Sequence, residues 1–224
     1  MTTVSEAMMA RISVRAFKPD PVPEALVREI LDVARYAPSG GNLQPWKIIA
    51  VSGAAREAVS AAVKQALLAN PAGDEAGRPV YPPHLWEPYR SRRYKVGEDM
   101  YALLGIPRED KPARYAHVAR NLDFFGAPVG LFFVIEERMG HGQWAHLGML
   151  LQSIALLAVE KGLASCMQEA WGRARGTLKA HFKLAPEEMV YCGMALGYAD
   201  ESAAVNTLRA DRAALDEIAR FEGF

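Results

Sequence analysis

The chain is poor in cysteine. Only Cys166 and Cys192 occur in 224 residues, each inside an apolar, strand-like run, which argues for buried thiols rather than a disulfide framework. A surplus of charge of either sign is also missing. Lys plus Arg number 26 and Asp plus Glu 26, so the global attraction to polyanions that marks nucleic-acid or anionic-membrane binders is absent. A small-molecule partner is the expectation, with neither nucleic acid nor membrane. Long apolar runs are lacking too: the longest, LGMLLQSIALLAV, is 13 residues and is interrupted by Gln152 and Ser153, short of the ~20 that a membrane span takes. The N-terminal MTTVSEAMMARISVRAF has no signal-peptide core. A soluble cytoplasmic protein is expected.

Several catalytic signatures are absent as well. There is no G-x-S-x-G elbow, H-E-x-x-H, Walker A sequence or pair of C-x-x-C motifs. His141 and His146 are five apart, which puts them on different faces of a helix, so no metal site is expected. GHGQWA, residues 140–145, imitates a dinucleotide fingerprint, but four residues separate it from the preceding strand-like VGLFFVI. The fingerprint needs its turn at the strand's end, so this reads as a helix entry.

What is present is the composition of a packed domain: 50% hydrophobic and 23% charged residues. No linker composition divides it, so residues 1–224 are read as a single domain. VPEALVREILDVARYA has apolar residues at helical spacing and stops at Pro38. WKIIAVSG reads as a strand and AAREAVSAAVKQALLA as a helix. From about residue 71 to 111 the chain turns proline-rich and aromatic, an irregular lid or insertion. PARYAHVARNLDFF reads as a helix, VGLFFVI as a buried strand, and GQWAHLGMLLQSIALLAVEKGL as a central helix buried in the domain or across a subunit contact. LASCMQ, GTLKAHFKL, MVYCGMALGY and RAALDEIARF follow as strand, short helix, strand and C-terminal helix. Dominant helices with few, unequally spaced strands make an α+β sandwich.

Two segments are equipped for chemistry. In an extended ARISVRA, Arg11, Ser13 and Arg15 line one side while Ile12, Val14 and Ala16 line the other. That side is either a phosphate cradle, suited to arginine's planar fork, or a solvated strand edge. The loop APSGGNLQPW, residues 37–46, is small, polar and bracketed by prolines, built to hold something.

The R-x-S-x-R start, the A-P-S-x-x-N-x-Q-P-W loop, the GLASCMQEAW segment and the G-x-x-L-G-Y strand followed by an asparagine and two arginines, in that order, resemble the nitroreductase family of FMN-dependent oxidoreductases. The resemblance covers most of the chain. It implies a mixed sheet flanked by helices, an intertwined homodimer, and FMN bound at the subunit interface. It further implies NAD(P)H as co-substrate and two-electron reduction of nitroaromatics in a ping-pong cycle, with no catalytic side chain because the flavin carries the hydride. By the same resemblance Arg11, Ser13 and Arg15 meet the phosphate and the flavin edge, and Pro38, Ser39 and Asn42 reach the flavin from the second subunit. Gln44 either joins them or ties the loop to its neighbours. The backbone of Met167, Gln168 and Glu169 approaches the flavin N5 atom, with Ala170 standing where many relatives have glycine. Arg209 or Arg212 is the second phosphate-binding base. The basic cluster RSRRYK, residues 90–95, beside Trp86 and Tyr89, nominates Arg93 and Tyr94 for an acidic nitroaromatic such as a nitrobenzoate; the competing reading is a charged surface paired with Glu87, Glu98 and Asp99. The same architecture also serves reductases of quinones, enones or halogenated phenols, and a non-catalytic flavin carrier or sensor.

Overall fold

The computed structural model describes residues 2–74 and 80–224. Its centre is a four-stranded sheet in the order β1-β2-β4-β3, from β1 (Lys47–Ser52), β2 (Val129–Glu136), β3 (Ala164–Gln168) and β4 (Glu188–Gly197). All three pairings are antiparallel. The sheet becomes mixed at its β3 edge, where Ser13 bridges Ser165 in the parallel sense. The extended N-terminal segment therefore runs alongside β3, and Val14 N–H donates to Ser165 O at 3.1 Å. Val14 is buried while Arg11, Ser13 and Arg15 are partly exposed, the two-sided arrangement that the alternation predicts.

Both faces of the sheet are covered, which explains why β2 is apolar at nearly every position rather than alternating. On one face lie α2 (Glu24–Ala34) and α6 (His141–Glu160), closing a core around Ile30, Leu131, Phe133, Leu147, Leu150, Ile154 and Met194. Each such fully buried side chain contributes roughly 1.5–3 kcal/mol. The 20-residue α6 is long and apolar enough to cross a membrane by length and composition; in this fold its Leu147, Leu150, Leu151, Ile154, Ala155 and Ala158 are buried. Ala145, Gly148 and Met149 on its other side are exposed.

On the opposite face α3 (Gly53–Ala69), α7 (Arg175–Phe182) and the 3₁₀ segments Arg120–Gly126 and Glu169–Ala174 close the second core. Trp171 is its centre, 4.6 Å from Phe124 and 4.9 Å from Phe132 between ring centroids. Two strand glycines make the room. A Cβ on Gly130 would stand 2.3 Å from Phe124 Cζ, and one on Gly193 would stand 2.5 Å from Trp171 Cδ1.

Four elements depart from expectation. The 71–111 segment is not irregular throughout: α4 (Tyr89–Leu103) occupies it, followed by α5 (Lys111–Ala119). A helix α1 (Val4–Ala10) precedes the arginine segment, closed by a capping box between Thr3 and Glu6. The α-helix over PARYAHVARNLDFF stops at Ala119 and passes into the 3₁₀ segment Arg120–Gly126, in which Phe124 and Phe125 adopt left-handed φ values of 52° and 53° that no α-helix accommodates. The C-terminal helix shrinks to α8 (Leu215–Ile218), a single turn that buries no residue and so gains nothing from tertiary packing. Of the proline-rich stretch, residues 75–79 lie outside the described residues.

Candidate active site

A cleft of about 690 Å³ opens beside the β3 edge. Its walls include Arg11, Ile12 and Val14 of the N-terminal segment, Ala164 and Ser165 of β3, the C-terminal end of α6 at Val159, and Asn206 and Arg209 from the chain after β4. Asn206 joins the two ends of the molecule at this point: its Oδ1 accepts from Arg15 N–H, and its Nδ2 donates to Ala16 O and Asp200 O, all at 2.8 Å. Two sequence-distant arginines therefore face one cavity through a buried amide. Motif order gives Asn206 no role of its own; only its long-range bonds do.

Arg209 Nη1 donates to Asn206 O and Leu208 O, both at 3.1 Å. Neither Arg11 nor Arg209 forms an ion pair among the described residues, and Glu201, the carboxylate on the cleft wall, pairs with neither. Guanidiniums that converge without an anion are what a phosphate requires. Arg212 is elsewhere. Its Nη1 donates to Ala210 O and Asp211 O at 2.7 and 3.0 Å, and it borders a separate cleft of about 500 Å³ together with Tyr81, Arg92, Arg93 and Lys95. The structure thus separates the two arginines that the sequence could not.

Beyond the single Ser13–Ser165 bridge the Arg15 N–H donates to Asn206 Oδ1 rather than to β3, and Met167 is the exposed residue of that strand. The Arg15 guanidinium folds back to donate to Ser13 O at 3.2 Å. Gln168 does something else: its side chain is buried, with Nε2 donating to Asn121 O at 2.9 Å and Oε1 accepting from Trp171 Nε1 at 3.3 Å. It leaves only backbone to offer a ligand. Glu169 Oε1 accepts from the Tyr191 hydroxyl at 3.0 Å, and burial, followed by the Glu169 charge, pushes the Tyr191 phenol well above its usual range. Ala170 has no left-handed φ, so alanine sits there without backbone strain.

The 37–46 loop is wound tightly on itself. Ser39 Oγ accepts from Gln44 N–H at 2.9 Å, Gln44 Nε2 donates to Asn42 O at 3.1 Å, and Gly41, Asn42 and Gln44 have φ of 60°, 54° and 47°. Gln44 is therefore a loop tie, while Pro38 and the Asn42 side chain stay exposed. The loop is anchored to the N-terminal part of α6 by Gly40 N–H donating to His146 Nδ1 at 3.3 Å. The arginine cleft lies at the other end of that helix, at Val159. Thirteen residues at about 1.5 Å rise separate His146 from Val159 by about 20 Å along the helix, whereas Pro38, at the start of the loop, borders a different cleft with Leu156, Leu157 and Glu160; no residue of the loop lines the arginine cleft.

In the 71–111 segment most of the basic cluster is paired. Arg90 bonds Glu87, Arg92 bonds Glu217, Lys95 bonds Asp99 and Asp211, and Glu98 bonds Arg114. Arg93 is different: it stacks over the Tyr81 ring at 4.1 Å and forms no ion pair among the described residues. Tyr94 accepts from Arg108 Nη1 at 2.9 Å. Arg120 was not singled out from the sequence; with Arg15 it bears electrostatically on buried His117, whose imidazole burial pushes down to about 4. Among the described residues no cluster of three metal-ligating side chains forms.

This arrangement, an arginine-bearing strand laid parallel on the sheet edge next to a C-terminal arginine, with a distant amide loop, defines a class rather than one protein. The chain belongs to the nitroreductase family, whose model matches residues 8–198. It is 39% identical to a 4-nitrobenzoate reductase of Pseudomonas putida over 100% of this chain and 98% of that protein. Identity is 35% to a nitrobenzene nitroreductase of Ectopseudomonas oleovorans, covering 97% and 96% of the two chains. Among solved structures, the FMN and NADPH-dependent nitroreductase NfnB from Sphigopyxis sp. strain HMH superposes with a TM-score of 0.96 at 45% identity, over 99% of this chain and 100% of that one.

Proposed function

We propose that the chain is an FMN-dependent oxidoreductase that uses NAD(P)H to reduce nitroaromatic compounds. The observation that carries this is that Arg11 and Arg209, without carboxylate partners among the described residues, line one cleft together with Ala164 and Ser165 of β3. The similar proteins support it, since they are 4-nitrobenzoate and nitrobenzene reductases and FMN and NADPH-dependent nitroreductases.

The donor set fits FMN. Arg11 and Arg209 would hold the phosphate, with Arg15 and Ser13 next along the strand toward the ring. When bound, FMN supplies the two-electron chemistry between NAD(P)H and the nitro group. The chain's own part is to bind, orient and exclude water. Its arginines put positive charge along one side of the site, and the backbone of the turn at Gln168–Glu169 presents hydrogen-bonding groups because both side chains are engaged elsewhere.

A homodimer is proposed with this function, because no residue of the 37–46 loop lines the arginine cleft of its own chain. The exposed face of α6, with Ala145, Gly148 and Met149, lies between them. Two copies crossing on that face by a two-fold axis would bring Pro38, Ser39 and Asn42 of one chain to the arginine cleft of the other. A cytoplasmic location is proposed with this function. Arg93, stacked on Tyr81, is proposed to meet the carboxylate of an acidic nitroaromatic such as a nitrobenzoate.

The test is anaerobic. NADPH should bleach the yellow protein, and 4-nitrobenzoate should restore the colour, with steady-state lines parallel in double-reciprocal plots. Slow bleaching without recycling would leave a flavin carrier.

A further inference from the structure

The side-chain order along β4 breaks at one residue. Phe133 faces Cys192 and Val134 faces Val190, so Tyr191 is an extra residue without a partner on β2, a β-bulge. The packing records the consequence. Val190 belongs to the core on the α3 side, whereas Tyr191 and Cys192 both pack into the core on the α6 side, which regular alternation does not allow. The bulge turns the phenol ring toward α6, where Trp144 meets it edge-on at 5.4 Å and 89°. Trp144 is itself held by Nε1–H donating to Met139 O at 2.9 Å. From there the Tyr191 hydroxyl reaches Glu169, 22 residues away in sequence, at 3.0 Å. Glu169 opens the 3₁₀ turn directly after β3, two residues beyond the exposed Met167.

We propose that Tyr191 is a positioning residue of the cofactor site, one that holds the Glu169 carboxylate back from the ring so that the turn presents backbone alone to FMN. This rests on the FMN reading given above. A phenol donating to a carboxylate makes a charge-assisted bond, roughly twice as strong as a neutral one. Without it, a half-buried carboxylate is free to turn about its side-chain bonds beside a group that must gain negative charge on reduction. Such a charge opposes reduction. The bulge leaves Tyr191 and Cys192 on the same face of the sheet, and Trp144 packs edge-on against the phenol ring.

Tyr191→Phe tests this, because it deletes the hydroxyl and keeps the ring against Trp144. The readout is the midpoint potential of bound FMN, measured by spectroelectrochemical titration beside wild type. The expected result is a potential lowered by about 30 mV, the two-electron equivalent of a tenfold shift in relative affinity for oxidised over reduced flavin. Adding Glu169→Gln to Tyr191→Phe should return the potential toward wild type, since the freed charge is gone. A Tyr191→Phe protein that binds FMN at the wild-type potential overturns the proposal and leaves the FMN reading intact. A shift that persists in the double variant also overturns it, as the effect then comes from packing. A wild-type chain that binds no FMN overturns both.

Discussion

Replacing Arg209 and Arg212 separately by alanine probes the cofactor site most finely, because the two are three residues apart and the sequence alone treats them alike. Arg209 borders the cleft shared with Arg11, while Arg212 borders the neighbouring one. Hydrogen bonds to a charged group are worth about 1.5–3 kcal/mol, and about 1.4 kcal/mol is tenfold in affinity. Arg209→Ala should therefore raise the FMN dissociation constant about 10- to 100-fold, toward the low end because the residue is exposed. Among the described residues Arg212 bonds only the carbonyls of its own segment, so Arg212→Ala should change it by less than about threefold. Quenching of free flavin fluorescence, titrated with apoprotein, reads both. The Arg209 effect should shrink as salt rises, since the contact is electrostatic. A larger loss in Arg212→Ala than in Arg209→Ala would refute the assignment of the cleft.

Three further outcomes follow from the geometry. Gly193→Ala drives a methyl to 2.5 Å from the fully buried Trp171; overpacking of about 1–3 kcal/mol should lower the melting temperature by roughly 2–10 °C, as calorimetry would show. His117, held near 4 by burial, contributes stability that is complete above the unfolded value of about 6.5 and is lost as pH falls toward 4; denaturant titrations should show about 2 kcal/mol less stability at pH 5 than at pH 7 from this group, and His117→Phe should flatten that slope. Arg93→Ala should lower kcat/KM for 4-nitrobenzoate by about 2- to 5-fold, the scale of an exposed ion pair, and leave neutral nitrobenzene unchanged; equal losses for both would remove the carboxylate contact.

Much of the architecture was legible because the pattern and the burial agree. The apolar run of β2 and the length of α6 mark buried elements at the right places, and the alternation of Arg11, Ser13 and Arg15 with aliphatics matches an extended segment with Val14 inside. The helix α4 was not legible. It buries no residue, so it carries no apolar stripe, and the prolines around it read as loop. The early end of the PARYAHVARNLDFF helix was hidden because left-handed φ at two phenylalanines has no compositional sign; Phe124 accepts it in return for stacking on Trp171 in the space above Gly130. In the site, arginine identity was visible but cleft membership was not, since Arg209 and Arg212 differ only in how the chain after β4 turns. Tyr191 looked like one more strand residue, and its role depends on a bulge that no local pattern announces. Gln168 shows the reverse limit: a polar residue at a matching position whose side chain is spent on Asn121 and Trp171.

The account depends on two chains completing each other's cofactor sites. Isothermal titration of apoprotein with FMN, combined with mass from light scattering, tests this directly. The prediction is a dimer that takes up one FMN per chain, with Asn42→Ala weakening binding although Asn42 does not line its own chain's arginine cleft. A monomer that binds FMN fully, or a dimer indifferent to Asn42, would contradict it.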